Sequence, residues 1–251
     1  LHHILLKTKI ALTVKHIAML FVWVGILNLA SHTVSGRPVF TDSLPSTGYL
    51  NQKDSSHSPI FKPATLILPA AFIVYGTLRP VIGTIEATDD TLYNRVLRNH
   101  AAFHTNAEEY LMWAPSAAVY LMDAFKIKTR HSFKEHILLD AGSIILTGGI
   151  GFGMRLLTGS IKEYNTNKTE FPSGHAANAF RGAEMFHQEL KDRNAVLSYS
   201  GYVVATAVGV LRIYNKDHYI SQVIAGAGLG ILSTKLTYWI FGKVTRHVHH
   251  P

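Results

Sequence analysis

The chain contains no cysteine. Disulfides, thiolate zinc sites and thiol catalysis are thereby excluded. The redox compartment stays open, because a disulfide-free protein can live on either side of a membrane. Charge is scarce too. Only 16% of the 251 residues are charged and 47% are hydrophobic, whereas soluble proteins carry about 25% charged residues. The shortfall points toward a membrane. The net charge of +8 does not form the basic face or block that nucleic-acid binding requires. The basic residues fall in short clusters between apolar segments, as in the connecting loops of a membrane protein. No carboxylate cluster calls for a metal, and nothing implies a cofactor.

What is present is a series of apolar runs. Residues 17–35, "HIAMLFVWVGILNLASHTV", follow Lys7, Lys9 and Lys15. This is the layout of a secretory signal or an uncleaved anchor, cytoplasmic at its basic end, so residues 1–35 read as one or the other. Residues 36–65 are polar with scattered Pro, Ser and Gly and read as a linker. Residues 66–83 are apolar but interrupted by Pro69, Arg79 and Pro80, which suits packing at the interface without crossing. With the polar, helical stretch 84–109, they complete a non-cytoplasmic region of linker and peripheral helices over 36–109. Further apolar runs occupy 110–125, 137–158, 174–190, 195–211 and 219–241. The basic clusters at 126–134, 191–193 and 243–246 are then all cytoplasmic, and the five runs alternate in direction. The expectation is an all-α integral membrane bundle over 110–242, about six helices if the first is retained, with a basic tail at 243–251. Several runs fall short of the ~20 residues a span prefers. Loops 156–174 and 212–218 come out together on the non-cytoplasmic side.

Those two loops hold the reactive residues. "FPSGHAANAF" places Pro172, Ser173, Gly174 and His175 before a run of small residues. Ser173 suits a helix N-cap, and the glycine lets backbone approach a ligand. Helix-start amides favour an anion, and a histidine can move a proton. Arg155, Lys162 and Lys168 precede the quartet; Arg212 and His218 lie in the second loop. Cations, a helix start and two histidines suit a group with several oxyanions, such as phosphate. One histidine can attack phosphorus while the other protonates the leaving oxygen.

The pattern resembles the type 2 phosphatidic acid phosphatase family, which shares its helical core with the vanadium haloperoxidases. The Pro-Ser-Gly-His motif is intact at 172–175. Arg212 and His218 have the spacing of the motif Arg, five residues, His, three residues, Asp. The motif Lys, six residues, Arg-Pro is kept in spacing only, as Arg155, Lys162 and Glu163. The resemblance covers roughly residues 110–240. It implies an all-α helical core and hydrolysis of a membrane lipid phosphate or pyrophosphate without metal or cofactor. It makes His218 the nucleophile, forming a phosphohistidine, and His175 the general acid. It gives Arg155, Lys162 and Arg212 the phosphate oxygens, with Ser173 and the Gly174 amide. Gln222 stands where the family has the aspartate that fixes the imidazole tautomer; it can accept a hydrogen bond but brings no charge. Asp217 would point elsewhere. Lys162 loses the bidentate fork of arginine, and Glu163 puts a negative charge beside it. Gln222 and Glu163 also support a second reading, a catalytically impaired relative that binds phosphorylated lipid headgroups or acts structurally. Arg79-Pro80 lacks a partner lysine, since Phe72 stands seven residues before it. Asp140 lies in an apolar run, as a functional group or a partner for a neighbouring helix. His247, His249 and His250 read as an exposed basic tail. The active site is expected on the non-cytoplasmic side, with the membrane and a lipid phosphate as partners and no nucleic acid.

Overall fold

Glycines decide where the helices meet. The computed structural model describes residues 62–158 and 170–249, with side chains to residue 245. The N-terminal apolar run, the linker to residue 61, Lys162, Glu163, Lys168 and the tail histidines' side chains lie outside the described residues. A 3-10 turn at Pro63–Leu66 leads into nine α-helices: α1 Ile67–Thr77, α2 Gly83–Asn99, α3 Ala107–Leu111, α4 Ala114–Ala124, α5 Phe133–Thr158, α6 Gly174–Leu190, α7 Ala195–Ser198, α8 Ser200–Tyr214 and α9 Ile220–His249. There is no strand among the described residues. Helix α9 packs on α6, α1 and α5. Gly226 and Gly230, one turn apart, face α6. A Cβ on Gly226 would lie 2.5 Å from the Ser173 carbonyl oxygen, and one on Gly230 would lie 2.7 Å from the Arg181 backbone nitrogen. Gly228 turns onto α1, where its Cβ would lie 2.8 Å from that of Phe72. Small residues thus let three backbones touch, as in membrane helix pairs.

Helix α6 is buried along nearly its whole length although four of its buried residues are ionisable. Each finds a partner. Arg181 donates to Asp140, to Ser143 Oγ at 3.0 Å and to Asn178 Oδ1 at 3.0 Å. Glu184 pairs with Lys235 at 2.8 Å. His187 Nδ1 lies 2.9 Å from Ser198 Oγ. Glu189 takes His131 at 2.8 Å, His136 at 3.0 Å and the Tyr238 hydroxyl at 2.6 Å. Of the two readings of Asp140, the helix partner is the one observed: it joins α5 to α6. Ala179, Phe180, Ala183, Ala205, Val208, Ala227 and Ile231 fill the space between α6, α8 and α9.

Among the described residues, three helical stretches are long and apolar enough to cross a membrane: Phe133–Thr158, Ala195–Tyr214 and Ile220–Thr245. In the first, only 11% of the most apolar window is buried in the protein, and Ile145, Leu156 and Leu157 point outward, a face that suits lipid. The run 110–125 differs from a single span. It breaks into α3 and α4, with Pro115 in the first turn of α4, where its missing N–H costs nothing. The 11 residues of α4 cover only ~16 Å. Along α5, α6, α8 and α9 the chain runs back and forth between two ends of the bundle. Arg130 and Asp192 meet at 3.6 Å across the loops at one end, and Arg155, Ser173, Arg212 and His218 gather at the other.

Helix α2 caps α9. Asp89, 1% exposed, accepts from the Ser221 N–H at 3.1 Å, from the Ser221 hydroxyl and from Arg79 Nε at 2.9 Å. Ser221 is in the first turn of α9, where N–H groups lack helical partners and favour a carboxylate. The Arg79 guanidinium lies 4.3 Å from the centre of the Tyr219 ring. The Arg79-Pro80 pair therefore belongs to the scaffold. Asp89→Ala leaves Ser221 and Arg79 Nε without their acceptor and is expected to cost about 3 kcal/mol, the low end for a broken buried pair because Arg79 is partly exposed and keeps Asp90 at 3.2 Å. Thermal unfolding in detergent checks this; an unchanged midpoint contradicts it.

Candidate active site

Ser173 is extended at φ −62° and ψ 114° and caps α6, its hydroxyl accepting from the Ala176 N–H at 3.5 Å. Its own N–H donates to the Gln222 carbonyl at 3.1 Å. This bond ties the start of α6 to the start of α9, so the two sequence motifs meet. Gly174 leaves room for Arg155, whose Nη2 lies 3.6 Å from where a Cβ would stand. Arg155 comes from the last turn of α5 and pairs with Glu170 at 2.9 Å.

The turn between α8 and α9 presents His218. Lys216 sits in the left-handed region at φ 67° and donates its Nζ to the carbonyls of Ala101 at 2.8 Å and Phe103 at 2.9 Å. Asn215 donates to the Thr105 carbonyl at 2.8 Å and to Glu108 Oε1 at 2.5 Å. The Tyr219 N–H donates to Gln222 Oε1 at 3.0 Å, which fixes which end of the amide faces the ring. His218 Nδ1 lies 3.1 Å from the same oxygen. An oxygen already accepting one N–H can only accept again, so Nδ1 carries the hydrogen and Nε2 keeps a lone pair. Burial pushes the His218 imidazole down to about 3, with the Arg212 cation adding to it. The ring is neutral and nucleophilic through the whole physiological range.

Around it stand cations already balanced by carboxylates. Arg212 Nη1 pairs with Asp217 at 2.9 Å and approaches Glu108 at 3.5 Å. Asp217 thus serves Arg212 and not the His218 ring. His175 Nε2 lies 3.0 Å from Glu109 Oε1 but outside hydrogen-bond geometry. The contact with His175 holds the Glu109 carboxyl below the usual range. Three buried donors are left without a hydrogen-bond partner here: Arg155 Nε, Arg212 Nε and His175 Nε2. Such groups are costly unless a ligand satisfies them.

The structure thus brings His175, His218, Gln222, Arg155, Arg212, Ser173 and Gly174 to one end of the bundle. Lys162 lies outside the described residues. Glu108, Glu109, Glu170 and Asn215 were not singled out by sequence. Their placement depends on contacts such as Asn215–Glu108, 107 positions apart in the chain, and no local pattern announces those. A cavity of about 370 Å³ opens beside Arg155, Pro172 and Gly174 and continues between α5 and α6 to Arg181. Among the described residues, no group of His, Asp and Glu is arranged to hold a metal ion.

The model of the PAP2 superfamily matches residues 124–246. The lipid A 1-phosphatase of Porphyromonas gingivalis is 33% identical over 193 residues, 72% of this chain and 43% of that protein. The chain therefore spans less than half the length of that relative. A transmembrane PAP2 type phosphatidylglycerolphosphate phosphatase from Bacillus subtilis is 19% identical, with a TM-score of 0.46 over 74% of this chain and 99% of its own. Over residues 124–246 the chain matches the PAP2 superfamily.

Proposed function

We propose that this protein is a metal-independent lipid phosphatase that works through a phosphohistidine, with its site on the non-cytoplasmic face of the membrane. One observation carries the reading: three buried nitrogens that make no hydrogen bond, Arg155 Nε, Arg212 Nε and His175 Nε2, the last in ion-pair range of Glu109, stand around a neutral His218. A phosphate monoester supplies acceptors to all three. His218 Nε2 forms the P–N bond as the P–O bond to the lipid breaks, and His175 gives the leaving oxygen its proton. Water then attacks phosphorus, its proton returns to His175, and the P–N bond breaks to release phosphate. The arginines carry the charge on the non-bridging oxygens. Lys162, where the family has arginine, is assigned to the same oxygens by its spacing from Arg155.

Gln222 favours a second reading, a protein that binds the phosphorylated headgroup without turning it over. Its neutral amide orients His218 but adds no charge to stabilise the positive imidazole formed during attack. Phosphate release from short-chain phosphatidic acid in EDTA separates the two. The expected result is release, with label from [32P]-lipid trapped on a His218 peptide as an acid-labile, base-stable adduct. Binding without release establishes the second reading, and release that requires added metal sinks the first.

A further inference from the structure

The cavity extends past Arg155 and Gly174, and its polar groups beyond them are not used by the chemistry above. Between α5 and α6 it is lined mainly by apolar atoms, with Gly148 and Gly151 giving it width. Beyond Arg155, three polar side chains interrupt that lining: Thr147, Asn178 and Arg181. Asn178 Oδ1 accepts from Arg181 Nε, but its Nδ2 is buried with no partner. Thr147 Oγ1 is likewise buried and unpartnered. Arg181 is not free to serve a ligand, because Asp140, Ser143 and Ser116 take its guanidinium. Asn178 follows Gly174 by one helical turn, about 6 Å along α6. The groove is bordered by Ile144 and Phe152, which are 43% and 58% exposed on a helix long and apolar enough to span. It therefore opens toward lipid at its side and joins the phosphate site at its end.

We infer that this groove is a subsite for the part of the lipid next to the phosphate, where Asn178 Nδ2 and Thr147 Oγ1 donate to an acyl carbonyl. The inference rests on the lipid-phosphatase reading for the identity of the occupant. Its own ground is two buried donors without partners in a mainly apolar groove that shares Arg155 and Gly174 with the phosphate site. An ester or amide carbonyl is a strong acceptor that lies a few bonds from the phosphorus of an acylated glycerol or amino-sugar phosphate, a reach comparable to one helical turn. An ether oxygen is a poor acceptor and leaves both donors unsatisfied. A site built to hydrogen-bond a substrate group discriminates against the analogue that lacks it. The groove thus selects acylated over alkylated lipid phosphates.

The test compares diacyl with dialkyl phosphatidic acid of equal chain length in mixed micelles. Wild type is expected to favour the ester by about tenfold or more in kcat/KM, the effect of one or two hydrogen bonds. Thr147→Val, which preserves shape and removes the hydroxyl, and Asn178→Ala are each expected to bring the ratio toward one. The same ratio is measured as relative affinity for His218→Ala protein, which binds without turnover. Absence of phosphate release from either lipid would count against the phosphatase reading alone, and the affinity ratio would still decide the subsite. A ratio near one in the parent protein, or one unmoved by both substitutions, overturns the subsite. A matching pair of N-acyl and N-alkyl glucosamine 1-phosphates shows whether the carbonyl read is a glycerol ester or a sugar amide.

Discussion

His218→Ala is expected to lower phosphate release in EDTA by about 10⁴-fold or more, the range seen when the nucleophile of a catalytic unit is removed. Gln222→Asp is expected to raise it above wild type by about 10- to 100-fold. The geometry gives the reason for the second effect. Gln222 Oε1 already accepts from the Tyr219 N–H and from His218 Nδ1, so the tautomer is correct in the natural sequence. What it lacks is charge. A carboxylate at the same place keeps both bonds and strengthens them as the ring becomes positive, by about twice the worth of a neutral bond. Gln222→Leu removes the acceptor and leaves the buried His218 Nδ1–H without it, so its rate falls. The pH profile gives an independent check. The active form of His218 is neutral, its imidazole is pushed down to about 3, and on the acid side activity is lost only as pH falls through that value. An anion at position 222 favours the protonated ring, so the acid limb of the Gln222→Asp profile moves upward. An acid limb near the ordinary histidine range in wild type, or a Gln222→Asp protein no faster than wild type, contradicts this account of the nucleophile.

How far the sequence foretells this site depends on whether the determinants are local. The N-cap of α6 is local: Ser173 before a run of small residues predicts a helix start, and α6 runs Gly174–Leu190 over the apolar run at 174–190. The spacing Arg212, His218, Gln222 is also local, because a helix start brings positions four apart onto one face. The convergence of both ends followed from charge in the loops. Helix length was not legible at 110–125, where apolar composition masks a break enforced at Pro115. Nor was the role of α2, whose polar surface gives no sign that Asp89 reaches Ser221, 132 positions away. The carboxylates Glu108 and Glu109 lie in an ordinary acidic stretch, and only the packing of α3 beside α8 turns them toward Arg212 and His175. The pattern names groups that react; it is silent on groups that hold them in place from distant parts of the chain.

Two glycines on α9 should separate stability from function. Gly230→Ala is expected to cost about 3 kcal/mol or more, the upper range for overpacking. Its methyl group would meet backbone on both sides, the Ala177 carbonyl and, at 2.7 Å, the Arg181 nitrogen. Neither can rotate away as a side chain could, so α6 and α9 must part, and α6 carries the buried Arg181–Asp140 pair with it. Gly226→Ala acts one turn nearer the site. Its methyl group would lie 2.5 Å from the Ser173 carbonyl oxygen, so relief moves the residue whose N–H is bonded to the Gln222 carbonyl. That shift changes the position of His175 relative to His218. A misplacement of about 1 Å between reacting groups costs on the order of 10²-fold in rate. Thermal midpoints and phosphate release on both variants read the distinction. Gly230→Ala should lose mainly its midpoint, and Gly226→Ala should lose activity out of proportion to stability. A Gly226→Ala protein with wild-type turnover would mean that the bond between Ser173 and Gln222 does not set the geometry of the two histidines.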